Sequence, residues 1–223
     1  MQQSPLDIVL FYADLGRHYM PCIQRLNWSV RRTMPDARLV LLTPTPLPKF
    51  TPFFDKVVDL SKAMTTTDET VCYDRVRALV SWQMMTETNT LHVDPDLEFR
   101  RPVEFSDDFD IGLLWRKRKP DQPVNTGMIL AKPGHHDFWV HYGAIAANLP
   151  LKLRGWWCDQ LAFSVLLGSL HTAGDIVQAY DARVKLIDWL EACAPEEKAK
   201  PDVWAIHYKG DRKNQQPMLQ VVA

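Results

Sequence analysis

The sequence predicts an α/β fold with a mostly parallel central sheet flanked by helices. Three observations carry that expectation. Apolar runs of strand length alternate with longer helical segments through the N-terminal half, which calls for right-handed βαβ crossovers. Pro-rich or charged stretches separate these runs and act as loops. A length of 223 residues with 46% hydrophobic side chains is enough to cover both faces of such a sheet in one domain.

The elements follow in order. LDIVLFYA at 6–13 is too short for a helix and reads as a buried strand of the parallel type. HYMPCIQRLNWSVRRTM at 18–34 reads as a helix, with Pro21 tolerated in its first turn and Pro35 ending it. ARLVLLT at 37–43 is the next strand, and the Pro-rich stretch after it is a loop. FDKVVDL at 54–60 is a weaker strand, and VCYDRVRALVSWQMM at 71–85 is a helix. NTLHVDPDLEF at 89–99 reads as a strand ending in a charged pair. DIGLLW at 110–115 and VNTGMILAK at 124–132 are further strands. Helices are expected at about 136–148 and 157–168, and VWAIHYKG at 203–210 is a late strand. The Glu- and Lys-rich stretch around Pro195 to Pro201 is expected to be a linker. No strand is expected between 169 and 202.

Composition removes several function classes. The formal net charge of −1 argues against a nucleic-acid binder, whose basic surface must offset phosphates. Cys22, Cys72, Cys158 and Cys193 form no CxxC pair and are expected to be reduced thiols without a redox or zinc role. MQQSPLDIVL lacks a basic leader before an apolar run, and no apolar stretch approaches the roughly 18 residues of a membrane span. A cytoplasmic protein without a transmembrane segment is the expectation. Neither GxGxxG nor GxxxxGK[ST] occurs, so dinucleotide and P-loop readings have no support.

Asp94 and Asp96 are the first candidate for chemistry. In an extended strand, side chains at i and i+2 share a face, with Cα atoms about 6.5 Å apart. Two carboxylates so placed can reach one metal. Pro95 keeps Asp94 extended and suits a strand end. Ligand sites in open α/β sheets lie at the carboxyl ends of strands. The alternative is a solvated strand end, since Asp and Pro are common turn residues.

The order of motifs supplies a resemblance. A strand ending in DxD at 94–96, NxG at 125–127, DQ at 159–160 and HxxGxxK at 207–213 follow one another. That series resembles the GT-A fold glycosyltransferases, and most closely the retaining nucleotide-sugar enzymes of glycosyltransferase family eight. The resemblance spans about 6–213. It implies one GT-A-like domain over 1–223, with a donor-binding half at about 1–105 and an acceptor and metal-completing half at about 106–213.

The resemblance also assigns residues. It implies that Asp94, Asp96 and His207 bind Mn2+ (or Mg2+), with Asp94 also reaching the donor ribose. Lys213 then contacts the diphosphate, and Gly210 lets the backbone approach it. Asn125 and Gly127 lie beside sugar and acceptor. Asp159 contacts sugar hydroxyls, and Gln160 sits where a nucleophile is expected, which makes this pair the catalytic candidates. Asp14 matches an acid that recognises uracil, and Arg75 matches a residue that reaches the donor. Asn214 and Gln215 follow Lys213 where the family has Pro-Trp.

Each residue also has a plainer reading. Asp159 suits a helix N-cap, Arg75 an ion pair within its own helix, and Asn125 with Gly127 a strand irregularity. His207 and Lys213 alone read as hydrogen-bonded or solvated side chains. The run Arg116 to Lys119 reads as a solvated loop, and Asp107, Asp108 and Asp110 as a solvated acidic cluster. Of Trp156 and Trp157, at least one is expected in the core.

The function implied is transfer of a hexose from a nucleotide-sugar, with UDP-sugar the expected donor, to a carbohydrate, lipid or protein acceptor, with retention. The alternatives are a sugar nucleotidyltransferase and a non-catalytic GT-A-fold binding module. The first normally opens with a Gly-rich loop after strand one, whereas ADLGRHY at 13–19 has a single glycine.

Overall fold

A computed structural model describes residues 6–16, 19–116, 123–168, 171–188, 191–192 and 204–208. The elements run β1 (Leu6–Phe11), α1 (Met20–Thr33), β2 (Arg38–Thr43), β3 (Lys56–Asp59), α2 (Val71–Gln83), β4 (Asn89–Val93), β5 (Leu97–Phe99), β6 (Ile111–Trp115) and β7 (Val124–Ala131). They continue as α3 (His136–Asn148), α4 (Cys158–Leu167), β8 (Ile176–Ala179), β9 (Ala182–Asp188), β10 (Glu191–Ala192) and β11 (Ala205–His207).

The main sheet has the order β3-β2-β1-β4-β7-β6-β9-β8. β3, β2, β1 and β4 are mutually parallel, β7 runs antiparallel between β4 and β6, β9 is parallel to β6, and β8 is antiparallel to β9. The sheet is mostly parallel, as expected, with β7 and β8 as its antiparallel members. β10, β11 and β5 form a separate small sheet.

Alternation along the strands divides the core. Ile8, Leu10, Leu39, Leu41, Leu91 and Val93 face α1, whose Ile23, Leu26 and Val30 pack on them. Val9, Phe11, Val40 and Leu42 face the other way onto Ala78 and Trp82 of α2. On that second side, Ile111, Leu113, Ile129, Val184 and Leu186 pack against Phe138, Trp139 and Tyr142 of α3 and Phe163 of α4. Strands buried on both faces explain why β1 and β2 read as continuous apolar runs.

Three expectations fail. The single strand at 89–99 breaks: β4 stops at Val93, Asp94 to Asp96 form a turn, and β5 begins at Leu97 in the other sheet. Pro95 lacks an N–H, which favours a break over continued pairing. Between 169 and 202 the chain forms β8, β9 and β10. β9 alternates buried Ala182, Val184 and Leu186 with exposed Arg183 and half-buried Lys185, the pattern of a strand with one wet face. Asp110 is not solvated: it is buried and bound bidentately by Arg183, at 2.8 and 3.0 Å. The expected linker at 195–201 lies outside the described residues.

Candidate metal centre and donor site

The parallel strands deliver their carboxyl ends to one edge of the sheet, and β7 enters the sheet at that same edge. The residue after β4 is Asp94, whose backbone N–H donates to the Gly127 carbonyl on β7 at 2.9 Å. β5 pairs antiparallel with β11, placing His207 opposite Leu97. The Tyr208 N–H donates to the Asp96 carbonyl at 2.9 Å and extends that pairing by one bond. This register carries His207 back to the acidic turn. Its Nε2 lies 3.0 Å from Asp96 Oδ1 and 3.6 Å from Asp94 Oδ2.

One ligand atom from each of Asp94, Asp96 and His207 lies within 4.8 Å of the other two. Asp96 and His207 are buried, while the Asp94 side chain keeps 27% exposure, leaving the group open on one side. Two carboxylate oxygens and an imidazole nitrogen, converging with an open side, fit a divalent cation. Gly127 makes the approach possible. A Cβ there would sit 2.8 Å from His207 Cε1 and 3.1 Å from its Nδ1, so the imidazole occupies the space a side chain would need. Asn125 Oδ1 accepts from the Gly127 N–H at 2.8 Å and fixes this stretch of β7.

Beside the acids lies a second network. Arg75, on the first turns of α2, reaches Asp94 Oδ1 at 3.0 Å and Asp159 Oδ2 at 2.9 Å, and donates to the Thr126 carbonyl at 2.5 Å. Thr126 Oγ1 donates to Asp159 Oδ2 at 2.7 Å, and Asp159 Oδ1 accepts from the Gln160 N–H at 2.8 Å. The Tyr142 hydroxyl donates to the Asp159 carbonyl at 3.3 Å. One guanidinium thus ties Asp94, just after β4, to the start of α4 through β7. Burial opposes the Arg75 charge, but Asp94 and Asp159 outweigh it and hold the guanidinium protonated. Removal from water raises the Asp94 pKa, Arg75 opposes that, and the neighbouring Asp96 carboxylate raises it again. Below the site, His92 is buried against Gln83 at 2.9 Å. Burial first, and Arg75 second, push its pKa down to about 3, so it is a neutral floor.

Behind His207 stands a further clamp. Tyr208 donates its hydroxyl to Glu98 Oε2 at 2.7 Å, and the Arg25 guanidinium lies 3.9 Å over the Tyr208 ring. Burial and Glu98 push the Tyr208 phenol up to about 12. These contacts hold the strand that carries the imidazole to α1 and β5.

The sequence-named residues divide clearly. Asp94, Asp96, His207, Arg75, Asn125, Gly127 and Asp159 come together. Gln160 joins them through its backbone, and its side-chain oxygen accepts from Arg116. Asp14 follows β1 at the same edge of the sheet, where its carboxylate is bound by Lys49 at 2.7 Å and Tyr12 at 3.4 Å and not by the triad's side chains. Gly210 and Lys213 lie outside the described residues.

Four plainer readings are corrected. Asp159 is not the N-cap of α4. Trp157 holds that position, and the Asp159 carboxylate binds Arg75 and Thr126. Arg75 pairs across elements and not along its own helix. Arg116 is not a solvated loop residue, because it binds Gln160 and the Val124 carbonyl. Neither Trp156 nor Trp157 is in the core: they are 58% and 47% exposed.

Sequence reasoning missed Thr126, Tyr142, Arg25 and Tyr208. Thr126 lies between Asn125 and Gly127 and was within reach of the NxG pattern; the others carry no local signal. Cys22, Cys72 and Cys158 are thiols outside any disulfide, and burial pushes the Cys72 and Cys158 thiols up to about 12, which keeps them protonated and unreactive. Among the described residues no helix is long and apolar enough to cross a membrane.

No protein-family model matches the sequence, and no curated protein matches it. Solved structures do match. A glycosyltransferase involved in the glycosylation of the major capsid of PBCV-1 aligns with a TM-score of 0.57 at 12% identity, over 93% of this chain and 95% of that one. The galactosyltransferase LgtC, in complex with donor and acceptor sugar analogs, aligns with a TM-score of 0.57 at 15% identity, over 92% of this chain and 87% of that one. The apo form of the glycosyltransferase GlyE from Streptococcus pneumoniae TIGR4 aligns with a TM-score of 0.63 at 13% identity, over 94% of this chain but only 55% of that one. At such identities the likeness is one of architecture, and over almost its whole length this chain has the GT-A glycosyltransferase fold.

Proposed function

We propose that this protein is a metal-dependent glycosyltransferase that moves a hexose from a nucleotide-sugar, with UDP-sugar the favoured donor, to an acceptor, with retention of configuration. One observation carries the reading: in a fold used by glycosyltransferases, His207 returns from the far end of the chain to within 3.0 Å of Asp96 and 3.6 Å of Asp94.

Asp94, Asp96 and His207 would hold the cation, and an imidazole among carboxylates favours Mn2+ over Mg2+. When bound, the ion supplies Lewis-acid stabilisation of the departing diphosphate. The remaining roles belong to the chain itself. Arg75 holds Asp94 Oδ1 and leaves Oδ2 turned toward His207, so the carboxylate is oriented before any ligand arrives. The same guanidinium and Thr126 fix Asp159 at the start of α4, where it can accept from sugar hydroxyls. Gln160 lies next to it on the reacting face, and Asn125 and Gly127 line the approach. Gly210 and Lys213 serve the diphosphate by their place in HxxGxxK, where Lys213 adds positive charge to the leaving group. Asp14, at the end of β1, is assigned to the base of the nucleotide. The transition state would have oxocarbenium character.

Calorimetry with UDP, with and without Mn2+, tests this. UDP binding that requires Mn2+ and is lost in Asp96→Ala is the expected result. Metal-independent UDP binding would overturn the mechanism. Slow release of UDP from a UDP-sugar separates an enzyme from a binding module that keeps the same site.

A further inference from the structure

The connection from α3 to α4 has an unusual surface. It runs Leu149-Pro150-Leu151-Lys152-Leu153-Arg154-Gly155-Trp156-Trp157, with a single helical turn at Leu151–Leu153. Leu151 is 81% exposed, Leu153 42%, Trp156 58% and Trp157 47%. Four large apolar side chains therefore face water within seven residues. Single exposed apolar residues need no explanation, but a cluster does. Trp157 adds a second anomaly. It holds a left-handed backbone at φ 76°, a conformation in which the Cβ of a bulky residue crowds the backbone. Glycine would fit there without that crowding.

Charge narrows what the surface fits. From 149 to 158 the segment carries Lys152 and Arg154 and no acid. Lys152 is exposed, and Arg154 donates its Nε to the Leu149 carbonyl at 2.7 Å, which pins the turn. Tryptophan, leucine and basic side chains together suit the interface of an anionic bilayer, where indole rings sit at headgroup depth and cations meet lipid phosphates. A sugar stacks on an aromatic face but gives no use to Leu151 and Leu153.

We propose that the surface formed by Leu151, Lys152, Leu153, Trp156 and Trp157 seats this protein peripherally on an anionic lipid bilayer. The surface runs straight into Asp159, two residues beyond Trp157, so the candidate site would sit at the edge of the membrane contact. An acceptor presented by a lipid would then reach the site without leaving its membrane. Only this last consequence rests on the proposed transferase function; lipid binding stands apart from it.

The test is co-sedimentation of the full chain with vesicles, without UDP or metal. One set is phosphatidylcholine alone, the other phosphatidylcholine and phosphatidylglycerol in equal parts. The expected result is pelleting with the anionic vesicles that weakens as salt rises. The double variant Leu151→Ser/Trp156→Ser should partition at least about a hundredfold more weakly, since each buried apolar side chain contributes more than about 1.4 kcal/mol, a factor of ten. Lys152→Glu should weaken binding to anionic vesicles roughly fivefold or more and leave neutral ones unaffected. All these positions are exposed or half-buried, and an unchanged thermal midpoint shows that the variants fold. Absence of vesicle binding by the parent chain overturns the proposal, as does binding that the double variant retains in full. A concentration-dependent dimer abolished by the double variant, without vesicle binding, would assign the surface to a second copy instead. Because the readout involves no nucleotide, failure here leaves the donor-site reading untouched, and failure of UDP binding leaves this proposal untouched.

Discussion

The two ends of the main sheet use the same residue types in opposite ways. At the amino ends of its parallel strands each acid is given its own base. Asp7 is bound by Arg38 at 2.7 and 2.8 Å and by the Thr88 hydroxyl at 2.8 Å. Asp110 takes Arg183 at 2.8 and 3.0 Å, and Asp108 takes Lys185 at 2.5 Å. At the carboxyl ends Asp14 keeps a base of its own, Lys49 at 2.7 Å, but the acids around the β4–β7 junction converge. Asp94 and Asp96 turn toward a common imidazole, and Asp94 shares one guanidinium with Asp159. Pairs of the first kind are clamps that join strand to strand. Gathering like charges in a part-buried place raises free energy unless something positive joins them. The difference between the two ends is therefore the physical basis for expecting a cation at one and none at the other.

Breaking each end should have different consequences. The largest effect is expected for Asp96→Ala, which removes one of the three proposed ligands and should weaken Mn2+-dependent UDP binding at least about a hundredfold by calorimetry. The fold should persist, because the bond between Tyr208 N–H and Asp96 carbonyl uses only backbone. Gly127→Ala comes next. Its Cβ would meet His207 at 2.8 Å, so the imidazole must move, and metal-dependent binding should fall roughly ten- to a hundredfold.

Changes at the amino end should leave binding alone and lower stability. Asp110→Asn should cost about 1 kcal/mol after screening by solvent, read as a thermal midpoint lower by about 2–4 °C. Its pH dependence has a definite sign. Hydrogen bonds from the Arg183 side chain hold the Asp110 pKa down at about 2, against an ordinary 3.8. The contribution is therefore present above about pH 4 and is lost as pH falls toward 2. The difference in stability between parent and Asp110→Asn should shrink over that window. Tyr208→Phe is the smallest expected change, about 1 kcal/mol from the lost bond to Glu98, with a modest loosening of metal binding through His207. Should Asp110→Asn abolish UDP binding, or Asp96→Ala leave it intact, the contrast between the two ends fails.

Much of this was legible in the sequence, for identifiable reasons. β1 and β2 are buried on both faces, so their apolar runs announce them. β9 was missed because a half-wet strand mixes Arg183 and Lys185 with its buried residues and imitates a polar segment. The acidic pair was visible, but for a partly wrong reason. A common strand face does not align the two carboxylates; a turn around Pro95 does. His207 could be connected to them only through the order of motifs, since no local pattern reveals that β11 will pair with β5. The reach of Arg75 to Asp94 and Asp159 was hidden for a related reason: a long side chain crossing between elements leaves no periodic trace. Trp156 and Trp157 were misjudged because tryptophan is usually buried, and a general preference gives way to a particular turn.

β11 is three residues long and follows every strand of the main sheet in sequence. During synthesis every strand of the main sheet emerges before it. A nascent chain can thus assemble its scaffold and both aspartates while still lacking the imidazole. Competence to capture a cation would then arrive as a single late event, when residue 207 clears the ribosome. Chains released prematurely would carry the architecture without the metal-binding capacity.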